Sequence, residues 1–270
     1  MHPILFEVGG ITIYSYGVLL AAAYLLGLQF ALVRARQRGL DRQRVMDLGI
    51  WIIVSALVGA KLLLLVVDFK RFTSVWDALG VMARSGGVFY GGLIAAVAVA
   101  FWYMWRYRLP LWTTTDVFAP AIALGHAVGR MGCLLAGCCF GRATSVPWAI
   151  TFHSDAAATN VGTPLGTPLH PTQLYDAGAE LAILALLLAT ERRGSQFAGR
   201  TFWSYLLLYG IARFIIEFYR GDPRGMVFDV LSTSQFVSIV LVPVSIVMLI
   251  VLSRRPDPTP LEAARSMRAA

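Results

Sequence analysis

Long apolar runs broken by short polar stretches dominate this chain. Runs near the ~20 residues needed to cross a hydrocarbon core fall at 12–33, 46–67, 87–106, 112–133, 172–190, 201–219 and 232–252. Each is predicted to be a helix, because a backbone in lipid must satisfy its own hydrogen bonds. The pattern therefore predicts an all-α polytopic membrane protein with seven transmembrane helices. The boundary between the third and fourth is the least sharp, since only "RYRLP" separates them. The membrane domain is expected over 1–253, and the tail 254–270 is expected to be a disordered cytoplasmic end. The connection 140–171, "FGRATSVPWAITFHSDAAATNVGTPLGTPLHP", is rich in Thr, Pro and Gly. It reads as an extracytoplasmic loop region with one short strand at "PWAITF". No internal or inverted repeat is visible, which weighs against a secondary transporter.

Composition agrees with the pattern. The 270 residues are 57% hydrophobic and only 14% charged, well short of the roughly 25% charged residues of a soluble domain. The net charge of +8 changes meaning once the spans are placed. Arg34, Arg36, Arg38, Arg42 and Arg44 fall between spans one and two, and Arg106 and Arg108 between three and four. Arg192, Arg193 and Arg200 fall between five and six, and Arg254, Arg255, Arg265 and Arg268 follow span seven. With seven spans all these loops share one side, which the positive-inside rule makes cytoplasmic. The N-terminus is then outside and the C-terminus inside. The positive charge is thus a topology signal, and no nucleic-acid partner is expected. The opening "MHPILFEVGG" lacks a basic n-region, so the first run reads as a retained span. Cys133, Cys138 and Cys139 make no disulfide framework, and their spacing is that of neither zinc nor haem ligation. Small-residue packing is their default reading, with a redox role as the alternative.

Polar residues inside the spans carry the chemistry. His126 and Arg130 are four apart and share a helix face, as do Tyr209, Arg213 and Glu217. Arg84, Tyr90, Gln173, Tyr175, Arg220, Tyr14 and Tyr16 lie toward the same, outer half of the membrane. Each has a plain alternative. Arg213 and Glu217 make a structural ion pair; Arg84 and Arg220 snorkel to the interface; Tyr14, Tyr16 and Tyr90 join an aromatic belt; His126 is a satisfied core histidine. Together they suggest more, because several arginines converge with Glu217 as the one acidic partner deep in a span. Surplus positive charge at the outer leaflet calls for an anion, and the abundant anion there is lipid phosphate, which arginine grips with two parallel donors. Glycine-rich "SGGVFYGGL" and "GRMGCLLAG" permit close backbone approach, helix to helix or backbone to headgroup. This reading leaves open whether the lipid is carried, sensed or consumed. A phospholipid transporter and a thiol oxidoreductase therefore stand beside a lipid-consuming enzyme.

The segments "YSYGVLLA", "VGAKLLLLV", "SGGVFYGGLI", "GRMGCLLAGCCFGR", "HPTQLYDA" and "YGIARFIIEFYRGD", in that order, resemble the prolipoprotein diacylglyceryl transferase family of the bacterial inner membrane. The resemblance covers nearly the whole chain. It implies transfer of the diacylglyceryl group of phosphatidylglycerol to the lipobox cysteine of a prolipoprotein, with a thioether formed and glycerol 1-phosphate released. It implies no metal or soluble cofactor, and a monomer is expected. By the resemblance, Arg130 and Arg213 hold phosphate, Tyr209 and Glu217 orient Arg213, and Tyr16 and Gly141 match further site positions. Gly91 and Gly92 match the glycine pair of the third span. The family histidine before that pair is Tyr90 here, and the signature's asparagine and glutamate positions hold Cys133, Ala136 and Cys138. The general base is therefore open: His126 replaces the missing histidine, or the thiolate forms by electrostatic activation beside the arginines. A catalytically altered relative of the transferase is the variant reading.

Overall fold

The computed structural model describes residues 2–9, 11–69, 74, 76, 80, 87–193, 197–222, 225–227 and 230–254. Arg84 and nearly all of the 254–270 tail lie outside them. Among the described residues the chain is helical, with eight helices and three two-stranded antiparallel sheets. The helices are α1 (Ser15–Gln37), α2 (Arg42–Val67), α3 (Phe89–Arg106), α4 (Leu111–Ala136), α5 (Asp155–Val161), α6 (Thr172–Arg193), α7 (Arg200–Glu217) and α8 (Thr233–Ser253). Six of them, α1, α2, α3, α4, α6 and α8, are long and apolar enough to cross a membrane. The helix α7 is 18 residues long but carries Arg200, Arg213 and Glu217, and it is not among the six. Side chains such as Leu25, Leu62 and Val66 point outward, at 69%, 55% and 72% exposure. An apolar exterior of this kind suits a lipid solvent.

Two compact units make up the chain. One holds the residues up to Ala31 and those described from Thr115 onward, and the other holds Leu32–Thr114.

The first unit begins with the antiparallel hairpin of β1 (Ile4–Val8) and β2 (Ile11–Tyr14). The first apolar run therefore starts as strand and turns helical only at Ser15, whose backbone N–H and hydroxyl both donate to the Pro3 carbonyl, at 2.9 and 3.1 Å. Small residues bring α1 and α4 together. A Cβ on Gly27 would sit 3.1 Å from the Ala121 carbonyl, and one on Gly125 3.1 Å from that of Ala23. Such stripes permit close backbone contact where no hydrophobic effect drives helices together. Ala119, Ala123, Ile183, Leu187 and Tyr205 form a core where α4, α6 and α7 meet. The α7 N-terminus is fastened by Asp116 of α4, whose carboxylate accepts from Gly199 N at 2.7 Å and Phe202 N at 2.8 Å. These are two of the donors that a helix start leaves unpaired. A reciprocal Ser232–Gln235 capping box starts α8.

The loop region 140–171 has more structure than its composition suggests. The expected strand is present as β3 (Ile150–Thr151), paired antiparallel with β4 (Pro168–Leu169). Between them α5 ends on Gly162 at φ +70°, a left-handed stop suited to glycine. Phe140, Phe152 and Leu169 form a small core beneath. The third two-stranded sheet joins β5 (Met226–Val227) to β6 (Leu231–Ser232) ahead of α8.

In the second unit α2 packs on α3 through glycine. A Cβ on Gly91 would collide with the Gly59 carbonyl and Leu63 Cβ, and one on Gly92 would come 2.8 Å from the Ala56 carbonyl. Here the glycine motif makes a helix–helix seam. Asp41 caps α2 by accepting from Gln43 N and Arg44 N.

Candidate active site

Two helices face each other through matched pairs of polar residues. On α4, His126 and Arg130 are one turn apart; on α6, Asp176 and Glu180 are one turn apart. His126 Nδ1 lies 2.6 Å from Glu180 Oε1, and Arg130 Nε lies 3.1 Å from Asp176 Oδ2. Arg130 Nε also donates to His126 Nε2 at 3.1 Å. A guanidinium can only donate, so Nε2 must be the bare nitrogen and Nδ1 carries the proton that faces Glu180. This fixes a neutral tautomer and occupies the one lone pair with which His126 would accept a substrate proton.

The third wall is α7. The Tyr209 ring lies 5.7 Å from the His126 ring and nearly parallel to that of Tyr205. One turn on, Arg213 Nη2 sits 2.5 Å from Glu217 Oε2 and donates to Ser234 Oγ of α8 at 3.1 Å. Both members of that pair are buried, at 5% and 6% exposure. Arg213 Nη1 is enclosed and meets no hydrogen-bond partner among the described residues. Leaving a charged donor unmet in a dry site costs more than the bond itself contributes.

Just past α7, Arg220 is buried at 4% exposure, so the interfacial, snorkelling reading does not hold. Its guanidinium grips Asp222 with two bonds of 2.9 Å and reaches Asp176 at 3.5 Å. Burial would lower its pKa, but the bonded Asp222 more than offsets this and holds it above the ordinary arginine range. The expectation that Glu217 is the one deep acidic partner is corrected by these contacts. Three arginines, Arg130, Arg213 and Arg220, meet three carboxylates, Asp176, Glu217 and Asp222, and a fourth carboxylate, Glu180, faces His126. The case for an anion therefore rests on an unmet donor and not on excess charge. Asp176 and Glu180 were missed because "QLYDAGAE" reads as the wet opening of a span. The available signal was that Gln173, Asp176 and Glu180 recur every three to four residues, on one face of a helix otherwise apolar.

Gly141 belongs to the seam beneath this site. Its N–H donates to the His170 carbonyl, it bridges to Arg220, and a Cβ there would collide with His170 and Tyr219 backbone. Its close approach is thus to protein backbone. The neighbouring turn bends through Gly137 at φ +81° and Cys139 at φ +61°. Two residues at the start of α6 clamp it: Gln173 donates to the Cys138 carbonyl and Thr172 to the Cys139 carbonyl, each at 2.7 Å. Tyr16, at the start of α1, lies against Gly132 of α4. Tyr16, His126, Arg130, Gly141, Tyr209, Arg213 and Glu217 therefore all belong to the first unit. Tyr90, Gly91 and Gly92 belong to the second, on the first turn of α3, where Tyr90 is 42% exposed and its ring meets Phe89 edge-on.

The chain matches known proteins over almost all of its length. A family model for prolipoprotein diacylglyceryl transferase matches residues 3–251. A phosphatidylglycerol–prolipoprotein diacylglyceryl transferase of Clostridium tetani is 35% identical, over 88% of this chain and 93% of its own. A second, from Clostridium perfringens, is 33% identical over 88% and 91%. One from Synechococcus elongatus is 30% identical over 89% and 83%. With the family matched from the first hairpin to the last helix, the chain belongs to the prolipoprotein diacylglyceryl transferase family.

Proposed function

We propose that this transferase moves the diacylglyceryl group of phosphatidylglycerol to the lipobox cysteine thiol of a prolipoprotein. The thiol sulfur forms a thioether bond to the sp³ glycerol carbon. The bond between that carbon and the phosphate oxygen breaks with its electron pair, and glycerol 1-phosphate leaves. The thiol proton passes to the departing phosphate or to solvent. Two difficulties define such a reaction in a membrane: a thiol is a weak nucleophile until deprotonated, and the leaving phosphate must carry charge where water is scarce. Fixed positive donors address both, because they act most strongly in a dry, preorganised site.

The observation that carries this reading is the buried, unmet Nη1 of Arg213. In our assignment it donates to a phosphate oxygen, while Glu217 and Ser234 hold the other edge of the guanidinium. Arg130 is set by its Nε contacts to His126 and Asp176, and its terminal nitrogens serve the same phosphate. His126, with Nε2 taken by Arg130 and Nδ1 facing Glu180, acts as a positioning residue. The substrate thiolate then forms by electrostatic activation beside the arginines.

The membrane arrangement extends the same reading. The α7 helix is the sixth of seven spans, with Arg213 and Glu217 neutralised as a pair and with α6 and α8 packed against it. Seven spans place the N-terminus outside, the arginine-rich connections inside, and the site toward the outer leaflet.

The test is a reconstituted assay with purified protein, phosphatidylglycerol and a lipobox peptide. The peptide should gain one diacylglyceryl mass with equimolar release of glycerol phosphate. Phosphatidylglycerol-independent product, or none from folded protein across several lipobox peptides, would overturn the assignment.

A further inference from the structure

All three cysteines of the chain gather at one point. Cys133 is on the last turn of α4, and Cys138 and Cys139 are on the turn that follows. Spacing alone argued against a metal site, yet the fold closes the gap and places the three sulfur atoms within 4.8 Å of one another. All three are free thiols. A cation ~2.3 Å from each of three sulfurs holds them ~4 Å apart when it lies at their centre, so a small inward rotation suffices.

The thiols are held in place by their surroundings. The carbonyls of Cys138 and Cys139 are each fixed by a 2.7 Å bond from Gln173 or Thr172, and Gln173 is fully buried. Cys139 sits at φ +61°, a region that side chains other than glycine's rarely adopt. A glycine would fit that backbone without strain, yet a thiol is present there. Cys133 is buried, whereas Cys138 and Cys139 are partly open, which leaves an entry path. The guanidinium groups of Arg130 and Arg220 lie near Cys139.

We propose that Cys133, Cys138 and Cys139 form a three-thiolate site for a soft monovalent cation, Cu(I), that clasps the end of α4 to the turn leading into Gly141. Thiolate sulfur selects soft cations. Among the described residues no histidine, carboxylate or further cysteine joins the three sulfurs. Zinc ordinarily demands a fourth ligand, whereas a trigonal sulfur set suits Cu(I). Three thiols lose three protons on binding one Cu(I), so the complex carries two negative charges beside Arg130 and Arg220. The site rests on the sulfur geometry alone and stands whether or not the chain transfers lipid.

The test uses the purified full chain, reduced beforehand, titrated with Cu(I) against a chromophoric Cu(I) chelator. One Cu(I) per chain is expected, with X-ray absorption showing three sulfur scatterers at about 2.3 Å and a raised thermal midpoint. Cys139→Gly is the cleanest variant, since glycine suits the backbone there. Its affinity should fall beyond the ~10–100-fold typical of losing a supporting residue, and its midpoint should no longer respond to Cu(I). Cys133→Ser should behave likewise. Absence of stoichiometric binding, nitrogen or oxygen scatterers in place of sulfur, preferential retention of Zn(II), or unchanged affinity in Cys139→Gly would each overturn the proposal.

Discussion

Arg213 and His126 are the residues whose surroundings say most about their work. Arg213 is split between a neutralised edge, at Glu217 and Ser234, and an unmet Nη1. Lysine keeps the charge but lacks the planar fork, so Arg213→Lys should lose at least ~100-fold in kcat/KM, consistent with about 2.7 kcal/mol of transition-state stabilisation. Arg213→Ala also strands a buried carboxylate, at a cost of about 3–5 kcal/mol of stability. Pairing it with Glu217→Gln should restore the thermal midpoint but not turnover, and recovery of both would remove Arg213 from catalysis. For His126 the account predicts a positioning signature. His126→Gln should lower turnover ~10–100-fold while leaving the shape of the kcat–pH profile unchanged. If a limb in the histidine range near ~6.5 vanished, His126 would be the base after all.

At the level of elements, close helix contact and capping set the stability. Gly91 faces Gly59 backbone across the α2–α3 seam, so Gly91→Leu should cost roughly 1–3 kcal/mol through overpacking. Gly178 of α6 has open space around its Cα, so Gly178→Ala should be neutral or stabilising by up to about 1 kcal/mol; equal losses at both positions would refute the seam. Asp116→Ala removes both carboxylate bonds at the start of α7 and should cost about 2 kcal/mol in thermal melts. Much of this layer was legible in the chain. Six of the seven apolar runs are long apolar helices, and the i, i+4 pairs on α4 and α7 fall where their spacing placed them. What stayed hidden was long-range. Asp176 and Glu180 acquire their meaning from Arg130 and His126 of α4, about 50 positions earlier in the chain. Residues 12–14 join a hairpin because β1 supplies a partner that hydropathy does not register. The order within 140–171 arises from pairing across that loop.

For the molecule as a whole, the proposed phosphate grip draws on arginines already balanced by carboxylates. Such a site would hold a lipid headgroup and still be tolerated in the membrane, because Arg130, Arg213 and Arg220 each keep a carboxylate partner. The proposed topology has its own check. A cysteine placed at Thr12 in an otherwise cysteine-free chain should react with an impermeant thiol reagent from outside, and one placed at Arg254 should not; the reverse result would invert the arrangement. The most direct measurement of the central claim is diacylglyceryl transfer by Arg130→Ala beside the unaltered enzyme, in proteoliposomes of phosphatidylglycerol with a lipobox peptide. The account predicts that the variant stays folded and membrane-embedded while product and glycerol phosphate release both fall by at least ~100-fold. Transfer at the unaltered rate would contradict it, because the phosphate would then be held elsewhere.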